Sequence, residues 1–154
     1  MDRFEDSHQD VADLESVITT RELSRRPTRG PDHASENRAL VGLAEAMTAS
    51  PDGILQKLAE TALNLCGADS AGLSLLDEDG KRFHWRAIAG QWASHLGGGT
   101  PRDFGPCGTV LDRGAAILFS HPERHFPYLA SVQPSIDEGL LIPFEVGGQA
   151  VAPA

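Results

Sequence analysis

Residues 65–80, LCGADSAGLSLLDEDG, contain the change of period on which the fold turns. Before them, Ile54, Leu55, Leu58, Ala62 and Leu65 recur at helical spacing and are expected to point inward. Gly67 is a natural helix C-cap. After it the spacing falls to two, and AGLSLLDEDGKRFHWRAIAG (71–90) reads as a strand, an Asp-Gly-type turn and a second strand. Strict alternation would set Phe83, Trp85, Ala87 and Ala89 on one face, with Arg82, His84 and Arg86 on the other.

Working back toward the N-terminus, Leu40, Leu43, Ala44 and Met47 share one face of an earlier helix, from about Asn37, and are expected to be core. Ser50-Pro51-Asp52 then supplies an N-cap, a proline for the first helical position and a first-turn acid. Residues 1–36 differ in character. RELSRRPTRGPDHASEN (21–37) interleaves Arg21, Arg25, Arg26 and Arg29 with prolines, as solvated linkers do. Only VADLESVITT (11–20) has amphipathic spacing, and a helix that short needs a partner. The expected division is a flexible segment over 1–36 and a domain over 37–154.

Beyond the hairpin, QWASHLGGGTPRDFGP (91–106) has the composition of a long surface loop, the kind that carries function. A short helix, CGTVLDRG, leads into an apolar strand, AAILFS. Ser120 and Glu123 have capping-box spacing and predict a helix over HPERHFPYLA (121–130). The last strand, GLLIPFEV (139–146), should be interrupted at Pro143, which has no N–H to donate. Gly147-Gly148 then reads as a two-residue turn, with Gln149 to Val151 starting the return. The order of elements predicts an α+β fold, an antiparallel sheet flanked by helices.

Composition narrows the function. Apolar residues are 40 % of the chain and charged residues 23 %, and the formal net charge is −9. An acidic surface argues against nucleic acid and against anionic membranes as partners. Cys66 and Cys107 are too few for a disulfide framework or a four-cysteine zinc site. The acidic start MDRFEDSHQD is unlike a signal peptide, and no apolar run would span a bilayer, so a cytoplasmic location is expected.

Three stretches in this order resemble the GAF domain, a small-molecule sensing module of signalling proteins. They are LCGADSAGLSLLDEDG, CGTVLDRGAAILFSHPERHF (107–126) and LLIPFEVGGQAV (140–151). The likeness is to GAF domains at the front of bacterial sensor histidine kinases and covers about Asn37 to Val151. In that family a full strand and a closing helix follow the glycine turn; their absence here implies a domain shortened at its C-terminus. The resemblance implies an unidentified small ligand, no fixed cofactor, a second copy or a signalling protein as partner, and a role as the input part of a two-component sensor.

In that fold small ligands lie between the sheet and the mid-domain helices and loop. Trp85, Trp92, Phe104, Cys107, Phe119 and Tyr128 are therefore the expected ligand-binding residues, although plain core packing would explain each one by itself. Two rival readings stay open. One is a ligand-free dimerisation or scaffold module. The other is a redox enzyme built on Cys107 at a helix start, for which no resolving cysteine is evident. Bilin attachment at Cys107 fits poorly, because Gly108 follows where phytochromes typically have histidine. His121 and His125 have the spacing of two metal ligands on a helix, but no third ligand and no metal are indicated.

Overall fold

Gly67, at φ 61°, ends helix α3 (Ile54–Cys66) in the left-handed conformation, and the chain passes directly into strand β1 (Ser70–Leu76). In this computed structural model, which describes residues 10–146 and 149–151, β1 turns into β2 (Arg82–Gly90) as an antiparallel hairpin. The register slips once. Leu73 faces Ala87 and Ser74 faces Trp85, leaving Arg86 as an extra residue on β2. A bulge of this kind resets the alternation of side chains. Phe83 and Trp85 therefore lie on the opposite face from Ala87 and Ala89, which corrects the single face read from the sequence. Leu73, Ala87 and Ala89 pack on Ala59 of α3, while Phe83 packs on Cys107.

The glycine-rich stretch expected to be a loop contains a strand. β3 (Gly99–Pro101) pairs with the start of β2, Thr100 opposite Phe83. Three residues are too few to show a period. Helix α4 (Pro106–Arg113) and strand β4 (Ile117–Ser120) follow as expected, and β4 pairs antiparallel with β5 (Glu138–Leu141). The strand breaks at Ile142-Pro143 and resumes as β6 (Phe144–Val146), which pairs with β7 (Gln149–Val151), Val146 opposite Gln149. The Gly147-Gly148 turn lies outside the described residues. β7 runs beside β1, so the β6–β7 hairpin adjoins the β3-β2-β1 sheet.

The helix predicted from Ser120 and Glu123 does not form. Ser120 ends β4, His121 adopts φ 48°, and Pro122 and Pro127 each open a short 3₁₀ segment, Pro122–Arg124 and Pro127–Ser131. A proline within the run removes a donor and clashes with the carbonyl one turn back, which outweighs the capping pair. His121 and His125 consequently share no helix face. Among the described residues no group of three or more His, Cys, Asp or Glu could hold a metal ion.

Helix α2 (His33–Ala49) starts before Asn37, because the Asp32 carboxylate accepts the Ser35 N–H at 3.0 Å. Its expected core stripe is not core: Leu40 is 65 % and Met47 60 % exposed. The partly covered face is the small-residue one, Ser35, Ala39, Gly42, Leu43 and Ala46, and α2 packs against α3. Ser50 makes no side-chain cap; Pro51–Gly53 forms a 3₁₀ turn, and the residues α3 sends to the sheet are Leu55, Ala59 and Leu63.

The largest core cluster draws on the segment set apart by composition. Helix α1 (Leu14–Val17) is a single turn, and its Val17 is fully buried among Val110, Ile117, Phe119, Phe126 and Leu129. Ile18 bridges to Phe119, and the Thr19 N–H donates to the Leu118 carbonyl at 2.8 Å. Arg26 completes the attachment with a two-pronged pair to Glu138, at 2.5 and 3.0 Å. Leu14, Val17 and Ile18 are an apolar triplet in need of a partner, and the uncovered edge of β4 supplies one.

Candidate functional site

Ser74 is fully buried in β1, and the β2 bulge gives it Trp85 as its strand partner. On the same face the Cys107 thiol donates to the Ser74 hydroxyl, Sγ to Oγ 3.6 Å. Cys107 is held there because Pro106 sets the first turn of α4 and the thiol faces Phe83. Gly105 brings the other groups together. A Cβ on it would lie 2.8 Å from the Tyr128 hydroxyl and 3.1 Å from the Thr100 Cβ, so a larger residue would push the Tyr128 hydroxyl aside. Tyr128 donates its phenolic hydrogen to the Phe104 carbonyl at 2.9 Å. Thr100 is 2 % exposed, and its hydroxyl lies near the Cys107 thiol without forming a well-made hydrogen bond among the described residues.

Three hydroxyls and a thiol thus gather inside an apolar wall that includes Leu76, Phe83 and Leu111. Burial pushes the Cys107 thiol above its ordinary value, with the Ser74 and Thr100 hydroxyls opposing. Burial likewise raises the Tyr128 phenol. All four groups are therefore neutral at physiological pH. They can exchange hydrogen bonds with a ligand but cannot balance a charge on it.

Of the six residues expected from the sequence, four form two aromatic pairs, Trp85 with Trp92 and Phe104 with Tyr128. Trp85 and Trp92 lie 5.5 Å apart between ring centroids, with His95 5.1 Å from Trp92. The Trp92 indole N–H donates to the Pro134 carbonyl at 2.8 Å, and His95 Nε2 donates to the Gln133 carbonyl at 2.6 Å. Phe104 and Tyr128, 6.1 Å apart, form the second group beside Cys107, with Phe126 between them and the core. Phe119 is placed elsewhere, packed on Val17 in the main core. Cavities of about 180 Å³, lined by Glu123, Leu129 and Ser135 among others, and about 640 Å³, between Thr19–Arg25 and Arg113–Ile117, lie away from Ser74.

Comparison with known proteins agrees with this architecture. The family model described as GAF domain matches residues 48–152. The chain belongs to the GAF domain family. Among curated proteins none matches it. The GAF domain of an Acinetobacter phosphoenolpyruvate-protein phosphotransferase is similar at a TM-score of 0.62 and 16 % identity, over 77 % of this chain and 74 % of that one. The phycoerythrobilin-bound GAF domain of a cyanobacterial phytochrome is similar at 0.55 and 14 %, over 82 % and 80 %. Free methionine-R-sulfoxide reductase from Neisseria meningitidis, solved with its substrate, is similar at 0.55 and 13 %, over 83 % and 75 %. At such identities the likeness is one of fold.

Sequence reasoning missed Ser74, Thr100, Gly105 and His95 in this GAF domain. Ser74 and Thr100 are small polar residues inside apolar strands, a pattern that also fits ordinary solvent-facing positions. Ser74 faces α4 by the alternation of β1, and the bulge at Arg86 brings Phe83 and Trp85 to that same face. Among the described residues no helix is long and apolar enough to cross a membrane.

Proposed function

We propose that this GAF domain is a sensory module that takes an uncharged small molecule over Ser74, between Trp85 on one side and Cys107, Thr100 and Tyr128 on the other. The observation that carries the reading is the Thr100 hydroxyl, buried with only the weakly bonding Cys107 thiol beside it and no well-formed hydrogen bond. Leaving such a group unpaired costs about 1–3 kcal/mol, which a hydrogen-bonding ligand would recover. The ligand would make room by displacing the Gln133-Pro134 segment, which is held over Trp92 and His95 by the hydrogen bonds of those two side chains. Its binding energy would then appear as a shift of the segment between β3 and α4 and of the helices packed on the sheet. Within a cell this suits the input part of a bacterial two-component sensor.

A redox enzyme reading is less well supported. Cys107 is buried with its thiol raised, whereas a nucleophilic thiol is lowered and accessible. Cys66, the other thiol, ends α3 on the opposite side of the β1–β2 hairpin. Thermal-shift screening of the full chain with uncharged metabolites is the test. A compound that raises the melting temperature of the wild type and loses its effect on Tyr128→Phe supports the proposal. A set of hits confined to charged compounds, unaffected by Tyr128→Phe, would contradict it.

A further inference from the structure

The cavity of about 640 Å³ between the Thr19–Arg25 segment and the turn from α4 to β4 is lined by three arginines, Arg21, Arg25 and Arg113. They gather there in a chain whose formal net charge is −9. Glu15 and Glu22 line the same cavity but do not cancel them. Arg113 is paired with Glu15. Arg25 stays 3.8 Å from Glu22, beyond hydrogen-bond reach. Arg21 has no ion pair or side-chain hydrogen bond among the described residues. Two guanidiniums are thus left with their N–H groups free. Hydroxyls stand beside them. The Thr20 oxygen accepts the Leu118 N–H at 3.1 Å, which leaves its own hydrogen without an acceptor among the described residues. Thr19, also in the lining, has a buried hydroxyl with no hydrogen-bond partner among them.

We propose that this cavity binds the phosphate group of a small molecule, held by the Arg21 and Arg25 guanidiniums with the Thr20 hydroxyl as a further donor. Charge decides between oxyanions. A phosphate monoester carries about −1.5 to −2 at neutral pH, which matches two uncompensated guanidiniums, whereas a single carboxylate matches one. A guanidinium also presents parallel N–H groups to two phosphate oxygens at once. The volume exceeds what a phosphate fills and lies in the range of small-molecule sites, so the rest of the molecule has room beside Ala115 and Ala116. Nothing in this site depends on a ligand over Ser74.

Titration of the full isotope-labelled chain with glycerol phosphate and with inorganic phosphate, followed by NMR at an ionic strength held constant with chloride, tests it. Amide signals of Thr19–Arg25 and Arg113–Ile117 are expected to shift and saturate, with the ester binding the more tightly. Arg21→Gln and Arg25→Gln, both at exposed positions, should each weaken binding about fivefold or more. Arg38→Gln, on α2, should leave it unchanged. No saturating shift with either probe, or a loss on Arg38→Gln as large as on Arg21→Gln, overturns the proposal. Inorganic phosphate binding as tightly as the ester would assign the site to the free ion and overturn the ester.

Discussion

Ile18 pairs with Phe119 as a lone antiparallel bridge, so the segment before α2 covers the free edge of β4. An open edge exposes unpaired N–H and C=O groups and invites association with other strands. Here the Leu118 carbonyl accepts the Thr19 N–H and the Leu118 N–H donates to the Thr20 hydroxyl, which blocks that edge with the chain's own residues. Val17, next to the bridge, closes the core beneath it.

Val17→Ala should therefore destabilise the domain by about 1–3 kcal/mol, through lost burial and the cavity left among Phe119, Phe126 and Leu129. Val11→Ala, at a position 47 % exposed, is the control and should change little. Urea denaturation of both variants gives the comparison. Equal midpoints would mean that the α1 turn is not part of the cooperative unit.

The two thiols should differ in reactivity. Cys66 is exposed and should react with a thiol reagent at the rate of a free cysteine, while Cys107 reacts only as the domain opens. Quantifying thiols over time should show one fast and one slow group, and Cys66→Ser should remove the fast one. Rapid modification of Cys107 in the folded chain would revive a nucleophilic role for it.

Tyr128 makes stability fall at alkaline pH. Its folded-state value lies above the ordinary tyrosine value, so the folded form keeps a proton that the unfolded form releases. The contribution is fully present below about pH 10, where the unfolded chain begins to ionise, and declines as pH rises further. Tyr128 is the single tyrosine, so tyrosinate absorbance reports on it alone. The folded chain should show little tyrosinate until it unfolds; a titration at the ordinary value in the folded state would place the phenol in solvent.

Two glycines in helices should respond in opposite directions to alanine. At Gly42, in α2, an added Cβ meets nothing within 4 Å, so Gly42→Ala should stabilise by about 0.5–1 kcal/mol. At Gly108, in α4, the Cβ would sit 1.9 Å from the Arg102 carbonyl oxygen, so helix and loop would have to part. Gly108→Ala should destabilise strongly and loosen Cys107 beside it. Melting temperatures of the two variants decide this.

Much of the fold was legible because the period changes at Gly67 and Pro143 interrupts a strand, both local effects. What stayed hidden depends on longer-range pairing. Nothing in residues 82–90 alone announces that β2 bulges at Arg86, yet this one slip moves Phe83 and Trp85 to the face of Cys107. The segment around Val17 read as a short amphipathic helix in need of a partner within a flexible stretch, and one buried valine beside a free strand edge decided its place. The periodic stripe of α2 suggested core, and the structure leaves its Leu40 and Met47 in solvent. The aromatic residues named from the sequence border the proposed site except Phe119, whereas its polar residues Ser74 and Thr100 were not named.

Native mass spectrometry of the freshly purified chain beside Thr100→Val tests the sensory proposal most directly. Valine keeps the shape of threonine and removes a buried hydroxyl that has no well-formed hydrogen bond, so the variant should fold and be no less stable without ligand. The wild type is expected to carry an added small mass that Thr100→Val has lost. A small molecule retained equally by both chains, or by neither, would contradict a ligand held at Thr100.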